Sequence, residues 1–253
     1  MIFRRLKAHI EKENWFAVCV DFLIVVIGVF IGIQVANWNE ENTFTNSETL
    51  LLKALKEETQ TAIVLTNQKI HSYSQVTEAG KRSLEYLASD IACGTDCWPV
   101  LVDFMHASQW QNVGVPRSTY DNMRRIGLPR DKVIFDAFEA YLAQNAGAIP
   151  VFRIFPRYRD IVRQLVPLKV QEYYWLNCYS IVDGVEAYDL NCSKGVADDM
   201  AFNTVEAIAK HPEIKPSLTQ WISGLVMLPT SLGSQNASAE LAIEAIDAEL
   251  DRR

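Results

Sequence analysis

Residues 16–37 read FAVCVDFLIVVIGVFIGIQVAN, and this stretch decides the fold class of the chain. It contains a single charged side chain in about 22 residues, and at ~1.5 Å rise per residue a helix of that length spans the ~30 Å hydrocarbon core of a bilayer. Trp15 and Trp38 stand at its two ends, where amphipathic rings favour the headgroup layers. The sequence therefore predicts one transmembrane helix over residues 15–38.

The basic residues around this span predict its orientation. Four of them precede it: Arg4, Arg5, Lys7 and Lys12. The next lysine or arginine after the span is Lys53. Because positive charge is retained on the cytoplasmic side of a membrane, residues 1–14 are predicted to be cytoplasmic and residues 39–253 to form a domain in a bacterial periplasm.

The span is predicted to be retained, not cleaved as a signal peptide. Its apolar run exceeds the usual length of about 7 to 15 residues for the apolar part of a signal peptide. Gln34 and Ala36 also make a poor small-x-small cleavage site. We therefore expect residues 15–38 to act as a signal anchor in the inner (plasma) membrane.

Two features inside the span are candidates for a role beyond anchoring. Gly28 and Gly32 form a G-x-x-x-G pair, which allows a second helix to approach closely and predicts a homodimer; the alternative is that glycine is simply common in membrane helices. Asp21 places a carboxylate in lipid, which favours a polar partner. The alternative for Asp21 is that it reaches the inner interface, ~9 Å from Trp15, or is protonated.

The net charge bears on the possible partners of the protein, and the cysteine content bears on disulfides. The chain has 24 Lys and Arg against 31 Asp and Glu, a formal net charge of −7, and such a surface repels phosphate backbones. We therefore predict no nucleic-acid partner. Of five cysteines, Cys19 lies in the span, and the other four form an even set: Cys93, Cys97, Cys178 and Cys192.

An even set of cysteines in an oxidising compartment predicts disulfides. We favour the local pairings Cys93 with Cys97 and Cys178 with Cys192, although crossed pairings remain open. The second pair closes a loop of about 15 residues, and in the chain-entropy model this cross-link stabilises the folded state by ~3 kcal/mol. Cys93 and Cys97 also suggest an alternative, in which two nearby thiols exchange disulfides or bind copper.

Hydrophobic periods near 3.6 dominate the rest of the chain and predict an all-α fold, an antiparallel helical bundle after the transmembrane helix. Residues 179–188 fit a small β-hairpin around an Asp-Gly turn, and the alternative is a helix from Lys169 to Val182. Thr45-Asn-Ser-Glu48 matches a capping box, so the first outer helix starts there or runs on from the membrane. Gly80 is a candidate interruption of that helix.

Two later helices have specific expectations. Residues 130–145 are predicted to be helical, and their apolar spacing predicts burial of five residues: Val133, Ile134, Phe138, Tyr141 and Leu142. A last helical stretch over residues 217–250 is predicted to kink near Pro229 and Gly233. Its final part is amphipathic, with Leu241, Ile243, Ile246 and Leu250 on the apolar side.

The motifs of P-loop, serine-hydrolase, zinc-protease and dinucleotide sites do not occur in the sequence. We therefore predict no catalytic, cofactor or metal site. His71, His106 and His211 are far apart and are expected to be surface or packing residues. One basic cluster remains: Arg153, Arg157, Arg159 and Arg163. It forms either a solvated face paired with acids or a docking site for an anionic headgroup, glycan or peptide.

Residues 21–40, DFLIVVIGVFIGIQVANWNE, begin with an acidic residue and end in an Asn-Trp-Asn-Glu box. Residues 119–128, TYDNMRRIGL, precede the segment AFEAYL at 137–142. Both stretches resemble a bacterial family of uncharacterised single-pass membrane proteins, classed as a domain of unknown function. The resemblance implies a one-helix anchor and a helical extracytoplasmic domain, and it supplies no catalytic residue.

These observations predict a membrane-tethered, non-enzymatic helical module that binds a protein or envelope component. The alternative function is a periplasmic redox or metal-binding protein that uses Cys93 and Cys97.

Overall fold

The computed structural model describes residues 15–89, 91–152 and 155–253, so the predicted cytoplasmic segment 1–14 lies outside it. The described chain is mostly α-helical with one two-stranded sheet, which confirms the predicted fold class. In chain order the elements are α1 (Trp15–Ala88), α2 (Trp98–Ala107), α3 (Ser118–Arg125), α4 (Lys132–Ala148), a 3-10 turn (Ile149–Phe152), α5 (Arg157–Leu165), α6 (Leu168–Asn177), β1 (Tyr179–Val182), β2 (Val185–Tyr188), α7 (Asp198–Ala209), α8 (Ile214–Val226) and α9 (Leu228–Asp251).

The described chain divides into two compact units, which meet in sequence at Leu51 and Leu52. The first holds the apolar part of α1. Its most apolar 18-residue window has a mean hydropathy of 2.5, and none of that window is buried inside the protein. A core helix of a soluble protein would bury such a window, so this segment is a candidate membrane span by length and composition.

Helix α1 runs on through the predicted capping box at Thr45–Glu48 without a break. After Leu51 it buries one stripe, which includes Leu55, Ala62 and Tyr73. The same stripe also buries hydroxyl residues that the apolar period does not reveal: Thr59, Thr66, Ser72, Thr77 and Ser83. Thr59, Ser72 and Thr77 are buried with the hydroxyl bonded to the carbonyl four residues earlier, as Thr59 is to Leu55 O at 2.7 Å.

Gly80 does not interrupt α1, contrary to the sequence expectation. It is buried against α8, and a Cβ atom at this position would lie 2.1 Å from Ile222 Cδ1 and 2.4 Å from Ile222 Cγ1. The missing side chain therefore makes room for Ile222, so Gly80 serves helix packing and not helix termination.

The strands form a hairpin, which excludes the alternative that the helix continues to Val182. Helix α6 ends at Asn177, and β1 pairs antiparallel with β2 in the register Tyr179↔Tyr188 to Val182↔Val185. Asp183 and Gly184 both adopt positive φ, 52° and 80°, as a two-residue turn with matching strand twist requires.

The remaining helices confirm the predicted pattern with two corrections. In α4 the side chains of Ile134, Phe138, Tyr141 and Leu142 are buried against α9, but Val133 is 66% exposed. Val133 lies in the first turn, about 100° around the helix from Ile134, where its N–H bonds to the N-cap side chain of Asp131.

The second correction concerns the C-terminal helices. The predicted last stretch breaks at Met227 into α8 and α9, with Pro229 in the first turn of α9, and Gly233 lies inside α9 without a break. Proline fits a first turn because its missing N–H has no partner there in any case. Leu241 is 60% exposed, because the buried side of α9 is formed by Ala239, Ala242 and Ile246.

We predict that Gly80→Ala lowers the free energy of unfolding by up to about 2 kcal/mol. The gain of about 1 kcal/mol in helix propensity is outweighed by overlap with the buried Ile222, which costs about 1–3 kcal/mol. Gly233→Ala in α9 is the matched control. A Cβ added at Gly233 would meet no neighbouring side chain within 4 Å, so this variant should raise stability by about 0.5–1 kcal/mol.

Chemical denaturation of the full chain in detergent, followed by circular dichroism, measures both changes. In an Ile222→Ala background the cost of Gly80→Ala should disappear. Equal stabilisation by Gly80→Ala and Gly233→Ala would show that α8 does not pack closely on this position.

Candidate functional site

An open groove of about 700 Å³ lies between α1 and the hairpin. It is lined on the helix side by Val64, Asn67, Gln68, His71, Ser72 and Gln75, and on the hairpin side by Val182, Val185, Glu186, Ala187 and Tyr188. Val64 and Val182 expose 56% and 52% of their surface at its rim. The groove thus combines a largely apolar surface with a row of amide and hydroxyl side chains.

The hairpin presents two different faces because successive side chains on a strand point to opposite sides. Val182, Val185 and Ala187 lie on one face, and Tyr179, Glu186 and Tyr188 lie on the other. Both faces contribute residues to the groove: Val182, Val185 and Ala187 from the first, and Glu186 and Tyr188 from the second.

The outer edge of β2 is bonded to the helical domain by side chains. Ser72 Oγ donates to the carbonyl of Glu186, and the Glu186 N–H donates to Gln111 Oε1 at 3.4 Å. Gln75 Nε2 donates to the carbonyl of Tyr188 at 3.5 Å. These contacts position β2 beside α1, so the two walls of the groove are connected through hydrogen bonds.

Glu186 anchors the inner face of the hairpin. Its carboxylate accepts a hydrogen bond from the Tyr188 hydroxyl at 2.5 Å and also bonds to Tyr179. Burial raises the pKa of Glu186, although the Tyr188 hydrogen bond and the charge of Arg159 oppose this. Burial also raises the pKa of the Tyr179 hydroxyl to about 12. Both tyrosines therefore remain donors at neutral pH.

A buried hydrogen-bond chain through His106 connects α2, α6 and the end of the hairpin. His106 is fully buried, with Nε2 3.1 Å from the carbonyl of Asp189 and Nδ1 2.6 Å from Tyr174 OH. A carbonyl only accepts, so Nε2 carries the proton and Nδ1 accepts from Tyr174. Burial lowers the pKa of His106 to about 4, which agrees with a neutral ring.

The chain continues from Tyr174 to a partly buried arginine, Arg163. Gln109 Nε2 donates to Tyr174 OH at 2.8 Å, and Arg163 Nη2 donates to Gln109 Oε1 at 3.2 Å. The Arg163 guanidinium also stacks over Trp175, 4.4 Å from the ring centroid. Burial lowers the pKa of Arg163 to about 10, so it stays charged at neutral pH.

The predicted arginine cluster is divided between surface and interior. Arg157 forms an exposed ion pair with Glu213, Nε to Oε2 3.2 Å. Arg159 donates to the carbonyl of Ser108 at 2.8 Å, and Arg163 belongs to the buried chain. Arg153 lies outside the described residues. The three described arginines thus each bond to a protein group.

The four outer cysteines lie in the two local pairs predicted, Cys93 with Cys97 and Cys178 with Cys192, whose Cα atoms are 5.0 and 5.1 Å apart. The second pair closes the base of the hairpin. There the Cys178 carbonyl accepts from the Asp189 N–H, and the Cys192 carbonyl accepts from Trp98 Nε1, each at 3.0 Å. This disulfide therefore holds the Asp189 carbonyl that His106 bonds to.

Other predicted site residues belong to the first compact unit. Asp21, Gly28 and Gly32 are on the apolar part of α1, where open space surrounds both glycines in the described chain. Cys19 is the one free cysteine among the residues that the structure covers, and it is exposed. Within residues 15–89, 91–152 and 155–253, no group of three or more His, Cys, Asp or Glu side chains is arranged to hold a metal ion.

Most residues of the groove are not predicted from the sequence. His71 is predicted only as a surface or packing residue, and no role is predicted for Gln68, Ser72 and Gln75. The available signal is the alternation in the hairpin, where Val185 and Ala187 alternate with Glu186 and Tyr188. That pattern indicates a hairpin with one apolar and one polar face.

A scan against protein-family models, a search of curated proteins and a search of solved structures found no match to this chain.

We predict that His106 makes the domain acid-sensitive. Its folded-state pKa of about 4 lies below the unfolded value of about 6.5. The contribution of His106 to the free energy of unfolding is therefore present above pH 6.5 and is lost as the pH falls through 4. The full loss is on the order of 3 kcal/mol. The non-titrating variant His106→Gln should be less stable than the native protein at pH 7. The difference in the free energy of unfolding between the two proteins should narrow by pH 4, and this difference is the gap to be measured.

Urea unfolding at a series of pH values measures this gap, and His211→Gln outside the buried chain is the control. A His106→Gln variant with the native pH dependence would contradict a neutral, buried His106.

Proposed function

We propose that this protein is a single-pass, membrane-anchored binding module of a bacterial inner membrane. Its helical domain uses the groove between α1 and the hairpin to bind a protein or envelope component. The groove itself carries the proposal: it is an open, largely apolar surface beside a hairpin that the Cys178–Cys192 disulfide and the His106 chain hold in place. Pre-formed apolar clefts with a few polar groups are the usual form of binding sites.

The proposed topology places residues 1–14 in the cytoplasm, residues 15–38 in the membrane as an uncleaved signal anchor, and residues 39–253 in the periplasm. Three observations support it. The apolar window of α1 is not buried inside the protein, basic residues precede the span, and two cysteine pairs lie at disulfide distance. The resemblance of residues 21–40 to a family of single-pass membrane proteins agrees with this topology.

The buried titratable groups support binding over catalysis. His106, Tyr174 and Arg163 bond to one another inside the domain, directly or through Gln109, and Glu186 bonds to Tyr188. These groups therefore fix the position of the hairpin. Of the ionisable side chains along the groove, His71 is the exposed one.

The anchor contributes a second element of the proposal. Gly28 and Gly32 lie on one side of α1, and Asp21 lies seven residues before Gly28 on the same side. Close approach of a second α1 along this side would give a homodimer. A polar group of a membrane partner would then have access to Asp21.

A redox function for Cys93 and Cys97 is the second candidate. The observation in its favour is that Cys97 immediately precedes α2 as its N-cap residue, and a helix N-terminus favours a thiolate. In that case the pair would pass between disulfide and dithiol by thiol–disulfide exchange with the cysteines of a partner protein, which supply or take up the two electrons, whereas a structural disulfide stays oxidised.

Thiol labelling separates these candidates and tests the compartment. Denatured protein from cells quenched with acid should take up one maleimide-polyethylene glycol label, at Cys19, and five after full reduction. The reason is that an oxidising compartment keeps both pairs as disulfides. Three labels, with Cys93 and Cys97 reduced, would favour the redox candidate, and five labels without reductant would exclude the periplasmic location.

Photo-crosslinking in living cells tests the binding site. We expect p-benzoylphenylalanine at His71 or Val182 to form discrete adducts with a partner, because both positions line the groove. The same group at the exposed Glu244 of α9 should form none. Filling the groove with Ala187→Trp should remove the adducts from both groove positions. Adducts of equal yield at all three positions, or none at His71 and Val182, would contradict the proposed site.

A further inference from the structure

The two long edges of the hairpin differ in what covers them. On the outer edge of β2, side chains of the domain bond to the strand backbone. Ser72 and Gln75 donate to the carbonyls of Glu186 and Tyr188, and the Glu186 N–H donates to Gln111. These contacts occupy backbone groups that a further strand would need. Strand pairing on this side of the sheet is therefore blocked.

The same contacts identify the backbone groups of β1 that point away from the sheet. In an antiparallel ladder, the residues of a non-hydrogen-bonded pair direct their N–H and C=O groups outward on both strands. Glu186 and Tyr188 do so on β2, and the register places Ile181 opposite Glu186 and Tyr179 opposite Tyr188. The N–H and C=O groups of Tyr179 and Ile181 therefore form the outer edge of β1.

The outer edge of β1 is open. Within residues 15–89, 91–152 and 155–253 no third strand lies beside β1, and no backbone hydrogen bond joins Tyr179 or Ile181 to another element. Ser180 is exposed, and Ile181 and Val182 expose 64% and 52% of their surface. Edge strands are commonly protected by lysine, proline, a bulge or a covering element, whereas β1 has only its short length. An exposed apolar edge of this kind is a template for a further strand.

The sequence of β1, Tyr-Ser-Ile-Val, is complementary to a second copy of itself. With two β1 strands antiparallel and Ser180 opposite the partner's Ser180, Tyr179 lies opposite Ile181 on each side of the two-fold axis. Each of these two pairs exchanges both of its hydrogen bonds, so the outward groups of both strands are satisfied. The register also matches aromatic with β-branched side chains and serine with serine, which is favourable across strands. No charged residue lies on β1 to oppose it.

We propose that β1 pairs with β1 of a second copy of this chain, so that the two hairpins form one continuous antiparallel sheet. The inference goes beyond the groove, because it assigns the free edge of the hairpin. It rests on the proposed function in one respect, the membrane anchor. An edge of four residues is too short to hold two copies together in solution, and confinement of both copies to one membrane raises their effective concentration.

Cysteine crosslinking in native membranes tests the pairing. In a Cys19→Ala background, Ser180→Cys should form a disulfide-linked dimer after mild oxidation. The reason is that the Cα atoms of a non-hydrogen-bonded pair are about 4.5 Å apart, within the range of about 4.4–6.8 Å that a disulfide spans. Val182→Cys is the matched control on the same strand. Its two copies would be offset by about 13 Å along the sheet and should crosslink at least tenfold less.

A charge exchange at Ser180 separates loss of pairing from misfolding. Fluorescence energy transfer between donor- and acceptor-labelled full chains is measured in lipid vesicles, with Gly28→Leu and Gly32→Leu present to prevent close packing of the spans. Ser180→Lys should lower the transfer to that of random proximity, because like charges directly opposite are destabilising, whereas Ser180→Thr should preserve it. Mixing Ser180→Lys chains with Ser180→Glu chains should restore the transfer, since opposite charges then face each other.

Equal crosslinking of Ser180→Cys and Val182→Cys, or no dimer of either, overturns the pairing. Energy transfer that Ser180→Lys leaves unchanged overturns it as well. A disulfide adduct of Ser180→Cys with a protein of different mass, in place of the dimer, assigns the edge to a strand of that protein instead. The groove is judged separately, by adducts of His71 with a different protein, and the topology by the thiol labels. A chain that gives those adducts and no dimer has the binding function without the paired edge.

Discussion

The hydrogen bonds of the neutral His106 imidazole are the contacts on which the position of the hairpin depends. This imidazole accepts a hydrogen bond from Tyr174 on α6 and donates one to the Asp189 carbonyl just after the hairpin, and it does both only while it is neutral. Its full burial maintains that state, because a buried imidazolium is costly. The hairpin is thereby held at one end by this bond and along β2 by side chains from α1. The groove between them is a consequence of these two attachments.

The disulfide and the hydrogen-bond chain reinforce the same region by different means. Cys178 and Cys192 close the segment that contains the hairpin, so they limit the freedom of the unfolded chain. The hydrogen bonds of Ser72, Gln75 and His106 act only in the folded state. Both contributions pre-organise the groove, and a pre-organised site loses less entropy when a ligand binds.

Much of the fold is predictable because it follows from strong local signals. The apolar span, the Asp183-Gly184 turn and the local cysteine pairs each depend on residues that are neighbours in sequence. The wrong predictions concern residues whose role is set by contacts with distant parts of the chain. Gly80 resembles a helix breaker in the sequence, although its role is set by Ile222, 142 positions later in the chain. The burial of Thr59 is not predicted, because a pattern of apolar residues does not include a hydroxyl that forms its hydrogen bond within its own helix.

The candidate site is less predictable than the fold, because polar residues have no period that marks a groove. Gln68 and Gln75 acquire their roles only from the position of β2. Hydrogen–deuterium exchange of residues 179–188 tests the central claim most directly, measured in native membrane vesicles and again after purification into nanodiscs. A binding groove predicts slower hairpin exchange in the native membranes, where the partner is present, with no change in α4. Identical hairpin exchange in the two preparations would contradict it.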